Sequence, residues 1–205
     1  MTTNTRPAVS KTTPGTLVYP WLNKADTKFN AEGLYHTKIR LPAEVALPLV
    51  NELTNIRDER ANALTKQTGK RAKLAQLPWE ISEDGQTVEF KFKLNATGVN
   101  RSTNQPFEQK PVIYGPDGKV TEALVTNGST ALVAYEPVIF ANAAIGVGLT
   151  LRLKAVKVLE FAAMAASASS VFGDDDYGYS AQSPVSASGG ATGGSTGGAS
   201  GDYDF

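Results

Sequence analysis

Hydrophobic and polar positions alternate strictly over residues 88–95. Val88, Phe90, Phe92 and Leu94 fall on one side, and Glu89, Lys91, Lys93 and Asn95 on the other. A period of two is that of a half-buried β-strand. The same alternation runs through 33–42, where Tyr35, Thr37, Ile39 and Leu41 oppose Leu34, His36, Lys38 and Arg40. It returns at 146–161, with Leu149, Leu151 and Leu153 predicted inward and Arg152 and Lys154 outward. Three shorter stretches also read as strand: 16–22, predicted to break at Pro20; 111–124, two short strands around a Pro-Asp-Gly turn; and 130–140, predicted to be interrupted at Pro137. An Asp-Gly pair at 84–85 predicts the turn that feeds the first of these patterns. The period changes between residues 44 and 67. There Val45, Leu49, Leu53, Ile56, Arg60 and Leu64 recur at three and four, the spacing of one helix face. Pro48 is expected in its first turn, where a missing N–H costs little.

The elements add up to a mainly β body of five or six strands with one α-helix. A small closed or partly open barrel fits best, because closure removes sheet edges. Residues 1–15, with Pro7, Pro14 and the bases Arg6 and Lys11, read as a flexible basic arm, and 16–172 as the folded domain. From residue 173 the composition changes. Residues 173–205 hold nine of the 19 glycines, six serines and no large aliphatic side chain beyond Val185. Such a segment buries too little to offset the entropy of ordering, so a disordered tail is expected.

Charge sharpens this division. The formal net charge of zero hides a basic body and an acidic end. All 20 Lys and Arg lie in 1–172, against 15 acids, while 173–205 hold five acids and no base. Those five are Asp174, Asp175, Asp176, Asp202 and Asp204. The chain closes on Asp202, Tyr203, Asp204 and Phe205, two carboxylates and two rings on a glycine-rich tether. About 25 residues of such a tether reach roughly 25–30 Å, enough to return to a basic face. Carboxylate and ring together present the two groups of a nucleotide, a negative charge and a π-face.

The absence of Cys excludes disulfides, Cys-containing zinc sites and thiol nucleophiles, and a single His excludes multi-His metal sites. No phosphate-binding glycine loop, dinucleotide fingerprint or nucleophile elbow is present. No cofactor, no metal and no enzymatic activity is expected. His36 reads as a packing or hydrogen-bonding group on a strand surface. No run is long enough to span a membrane and no apolar leader is present, so a cytosolic location is expected.

Binding chemistry is better represented. Lys91 and Lys93 stand about 7 Å apart on one strand face, close to the spacing of successive phosphates on an extended single strand. Lys38 with Arg40, and Arg152 with Lys154, repeat the arrangement on other predicted strands. Outward lysines often serve solvation alone, but three strands sharing the pattern predict a basic sheet face. With Tyr19, Trp21 and Phe140 as candidate stacking rings, that face suits a charged backbone with stacked bases.

The order and spacing of several segments then become informative: "GLYHTKIRLP", "LPWEISEDGQTVEFKFKLNA", "YGPDGKV", "AAIGVGLTLRLKAVKVLEF" and an acidic end closing on phenylalanine. In these features the chain resembles the single-stranded DNA-binding proteins of T7-like bacteriophages. The resemblance implies an OB-fold barrel with one helix, a homodimer, and a groove for single-stranded DNA. It further implies support of phage DNA replication, recombination, repair and annealing in the cytoplasm of the infected bacterium. It implies that Lys91 and Lys93 contact DNA, that Phe140 stacks on a base, and that the tail ending in Phe205 recruits the phage DNA polymerase and primase-helicase. The tail here is sparser than that family's densely acidic one. Two rival expectations are an adaptor whose tail is the functional element and whose barrel binds no nucleic acid, and an enzyme built on a β-barrel.

Overall fold

The computed structural model describes residues 8–28, 30–100 and 102–163. The elements run β1 (Ser10–Lys11), β2 (Gly15–Asp26), β3 (Leu34–Pro42), α1 (Ala43–Thr68), β4 (Trp79–Ile81), β5 (Thr87–Asn95), β6 (Thr97–Val99), β7 (Pro106–Glu108), β8 (Val112–Tyr114), β9 (Thr130–Asn142) and β10 (Gly146–Glu160). The sheet is ordered β1-β9-β2-β3-β5-β10-β8, and β9 also pairs with β10. That last pairing closes β2, β3, β5, β10 and β9 into a five-stranded barrel. All of its neighbours are antiparallel except β5 and β10, which run parallel. This is the OB-like, mainly β architecture with one helix that the sequence predicts. The remaining strands are two or three residues long. Of these, β8 falls in the first of the two short strands expected in 111–124, and Tyr114 bridges to Val120 across the turn. The others are too short to display a period, and sequence reading does not resolve them.

Alternation builds the core as expected. Ile39, Leu41, Val88, Phe90, Phe92, Leu151 and Leu153 are all fully buried. Phe92 meets Tyr135 with ring centroids 5.3 Å apart. Burial, with Glu52 nearby, pushes the Tyr135 phenol up to about 12. Two bulges reset the phase. In β2 the register with β3 shifts between Val18 and Trp21, so Leu17 and Leu22 both point inward although their parities differ. Tyr19 sits in the bulge at φ 48, and its N–H donates to Asn127 Oδ1 at 2.9 Å. In β10 a shift between Leu153 and Ala155 moves burial from the odd positions to Val156 and Val158.

Several expectations are corrected. β2 passes through Pro20 and β9 through Pro137 without breaking. Beyond Thr16, β2 has only β3 beside it, and beyond Tyr135, β9 has only β10. Each proline therefore lies where one edge of its strand forms no ladder. Residues 8–14, read as part of a flexible arm, include β1, which pairs with β9. Thr12 is buried there: its N–H donates to the Val133 carbonyl, and its hydroxyl oxygen accepts from the Val133 N–H. The helix exists at the expected place, but its buried stripe is Ala46, Leu53, Arg57 and Ala61, with Val45 exposed. Leu53 belongs to the expected row, and Leu49 and Ile56 of that row pack partly buried against the core, so the contact face is widened to Ala46, Arg57 and Ala61 rather than moved. Pro48 lies in the second turn, six residues in, rather than the first. The helix stops at Gly69, whose left-handed φ of 68 lets its N–H reach the Thr65 carbonyl at 2.9 Å. The tail, including Asp202, Tyr203, Asp204 and Phe205, lies outside the described residues.

Candidate nucleic-acid interface

Strand pairing brings most of the candidate cations onto one outer face. Between β3 and β5, His36 stands opposite Lys93, Lys38 opposite Lys91, and Arg40 opposite Glu89. Between β5 and β10, Arg152 stands beside Lys93. β10 then places Arg152 opposite Glu136 of β9. One row across the barrel therefore reads Trp21, His36, Lys93, Arg152, Glu136. A groove of about 490 Å³ crosses this face. Lys38, Lys91 and Lys93 line it together with Phe140, Leu149 and Thr150 and with Leu77, Pro78 and Glu80.

The cations are not equivalent. Arg40 donates to Glu89 Oε1 through Nε at 3.0 Å and Nη2 at 2.6 Å. Lys38 Nζ lies 3.1 Å from Glu89 Oε2 and 3.4 Å from Glu80 Oε2. Burial pushes the Glu89 carboxyl up, but the bonds from Arg40 and Lys38 outweigh it and hold it below its usual range. The same bond to Glu89 raises Lys38. The stabilisation from Glu89 is therefore complete at neutral pH and is lost as pH falls through that lowered value. On β10, Lys154 Nζ lies 2.8 Å and Arg152 Nη1 3.6 Å from Glu136 Oε2, on a carboxylate only 4% exposed. Lys91 and Lys93 have no carboxylate within ion-pair distance among the described residues. Among the described residues they are the groove's two uncompensated cations.

Phe140 occupies a built seat. It pairs across the β9–β10 ladder with Gly148, and its ring lies over that glycine. A Cβ placed on Gly148 overlaps Phe140 Cζ and comes within 2.7 Å of Cε2 and 2.8 Å of the Ala75 Cβ. Only glycine leaves room for the ring. Trp21 stacks on His36 with centroids 6.2 Å apart and planes at 29°, and His36 Nε2 lies 3.3 Å from Asp26 Oδ2. Asp26, which also accepts from the Lys28 N–H, is held below the usual carboxylate range by that bond and by His36. Trp21 is therefore on the row of Lys93, at its far end. Tyr19 is 71% exposed on the β2 bulge and does not line the groove.

Sequence reasoning missed Glu80, Glu136 and the Gly148 seat as parts of this surface. Glu89 is visible on the lysine face of its strand, but its partners lie on other strands. A glutamate inside an otherwise apolar strand signals Glu136. Gly148 proves to be a ring seat, a role set by its pairing with Phe140 across the ladder. Among the described residues no group of three or more His, Asp or Glu is placed to hold a metal ion.

No protein-family model matches the sequence, and no curated protein does. Solved structures do match. The crystal structure of gp2.5, a single-stranded DNA-binding protein encoded by bacteriophage T7, aligns with a TM-score of 0.68 at 22% identity over 78% of this chain and 95% of that chain. The single-stranded DNA-binding protein from bacteriophage Enc34, solved in complex with single-stranded DNA, aligns with a TM-score of 0.54 at 11% identity over 77% and 89%. A second structure of the bacteriophage Enc34 protein gives 0.52 at 12% identity over 78% and 84%. The barrel and its helix thus have the fold of these phage single-stranded DNA-binding proteins.

Proposed function

We propose that this protein binds single-stranded DNA without sequence preference and supports phage DNA replication, recombination, repair and annealing. The observation that carries this reading is one groove holding two uncompensated lysines and a ring seated on glycine, Lys91, Lys93 and Phe140. Ammonium groups take phosphates, and the ring takes the face of any base, which gives affinity without sequence readout. The fold shared with a protein solved on single-stranded DNA supports the same conclusion. Lys38, Arg40, Arg152 and Lys154 border the contact, and Trp21 extends it along the Lys93 row. Tyr19 takes part only if the strand leaves the groove toward the β2 bulge.

The tail completes the proposal. Asp202, Tyr203, Asp204 and Phe205 compete with DNA for the basic face and, once displaced, recruit the phage DNA polymerase and primase-helicase. The protein acts as a homodimer in the cytoplasm of the infected host, with no catalytic step, metal or cofactor of its own. The test is a fluorescence titration of oligo-dT and a matched duplex with the full chain and a 1–172 truncation, at two salt concentrations. The expected result is salt-sensitive preference for the single strand, strengthened by truncation. No binding by either form at low salt would favour the adaptor reading, in which the tail alone is functional.

A further inference from the structure

Six candidate cations lie on this face of the barrel, Lys38, Lys91 and Lys93 of them lining the groove, and three carboxylates already hold four of the six. Glu89 is the most committed of the three, because each of its oxygens is engaged by a different base. Oε1 takes Arg40 at 2.6 and 3.0 Å, and Oε2 takes Lys38 at 3.1 Å. It sits on β5 two residues before Lys91 and four before Lys93, on the same face. Strand register adds a reason for it to be there. Lys38 stands directly opposite Lys91, and like charges in that position repel. Glu89 neutralises one member of the pair and draws its ammonium aside. A phosphate entering the groove finds Lys91 and Lys93 open but must displace a carboxylate to reach Lys38 or Arg40.

We propose that Glu89 sets the affinity of the groove by holding Lys38 and Arg40 out of phosphate binding. This inference rests on the reading of the groove as a single-stranded DNA site. The native interface then uses chiefly the two open lysines, with Lys38 and Arg40 as cations in reserve. Neutralising Glu89 frees both. The consequence is a strand held less tightly than the number of bases on this face implies, and exchanged faster. Glu80 acts in the same sense but weakly, since it is two-thirds exposed and reaches only Lys38.

The test uses the full chain and oligo-dT, with the salt dependence of binding as the readout. Glu89→Gln keeps the side chain's shape and removes its charge. Two freed cations steepen the slope of log affinity against log salt by about 1.4, at about 0.7 per phosphate contact on a single strand. From 50 to 200 mM salt, the variant therefore loses about sevenfold more affinity than the wild type, after starting tighter. Glu89→Asp keeps the charge but shortens its reach, so it loosens the grip without changing long-range repulsion. Its slope is expected between those of the other two, and it alone decides the matter if Glu89→Gln fails to fold. In a Lys38→Ala, Arg40→Ala background, Glu89→Gln removes only the repulsion of a carboxylate that has lost its partners, so it is expected to steepen the slope by much less than about 1.4.

An equal gain in that background would mean that Glu89 repels DNA directly, and would overturn the inference. Wild-type binding with an unchanged or shallower slope in Glu89→Gln would overturn it too, showing that Glu89 positions the bases for contact. If neither the wild type nor any variant binds oligo-dT, the groove reading fails and this inference fails with it.

Discussion

Replacing both Lys91 and Lys93 with alanine is expected to flatten the salt dependence of single-stranded DNA binding by about 1.4 in log–log slope, roughly 0.7 for each lost phosphate contact. The reason is their isolation from carboxylates among the described residues. A cation already paired brings little new counterion release when it meets a phosphate, because it must first give up its partner. Lys91 and Lys93 have no such partner, so their contacts appear almost fully in the slope. The same double replacement at Arg152 and Lys154, both held by Glu136, is expected to change the slope less. Titration of oligo-dT at four or more salt concentrations separates the two outcomes. Equal slopes for the wild type and the Lys91→Ala, Lys93→Ala variant would remove these lysines from the interface. The fold should tolerate the change, since both side chains leave the outer face and the core faces of β5 are untouched.

Much of this surface is legible in the amino-acid sequence. The period of two in β3, β5 and β10 assigns core and outer faces correctly, so Lys38, Arg40, Lys91, Lys93 and Arg152 fall on the face where they are found. What local pattern cannot supply is anything decided by register. That Lys38 faces Lys91, and Arg40 faces Glu89, follows from how β3 aligns with β5, and the Lys38–Glu89 bond joins residues 51 positions apart. The partition of cations into paired and open is therefore non-local, and alternation treats all six alike. Bulges are the second source of error. The extra residue at Tyr19–Pro20 lets β2 continue where a proline suggests a break, and it places Trp21 opposite His36. The helix keeps Leu49, Leu53 and Ile56 of its expected row against the core but also buries Ala46, Arg57 and Ala61, small or polar positions that an apolar period passes over. The pairing of Phe140 with Gly148 is also a matter of register, and neither residue alone announces it.

That pairing supports the second large effect. Phe140→Ala is expected to weaken oligo-dT binding by about 1–3 kcal/mol, roughly 5- to 150-fold, the range for loss of one base–aromatic stack. Unlike the lysine variant, it should leave the salt slope unchanged, because no phosphate contact is lost. Phe140→Trp should retain most of the affinity and add a fluorescence signal that oligo-dT quenches. The seat gives an independent check. Gly148→Ala adds a Cβ that overlaps the ring and crowds Ala75, so the ring must leave its place over β10. It should therefore reproduce most of the binding loss with Phe140 still in the chain. In a Phe140→Ala background, Gly148→Ala should cost little further affinity, because the stack it disturbs is already gone. Additive losses would mean that the glycine contacts the strand itself. A Phe140→Ala variant with wild-type affinity would mean that the ring only covers the backbone of β10, and that the bases stack elsewhere, with Trp21 on the Lys93 row the next residue to replace.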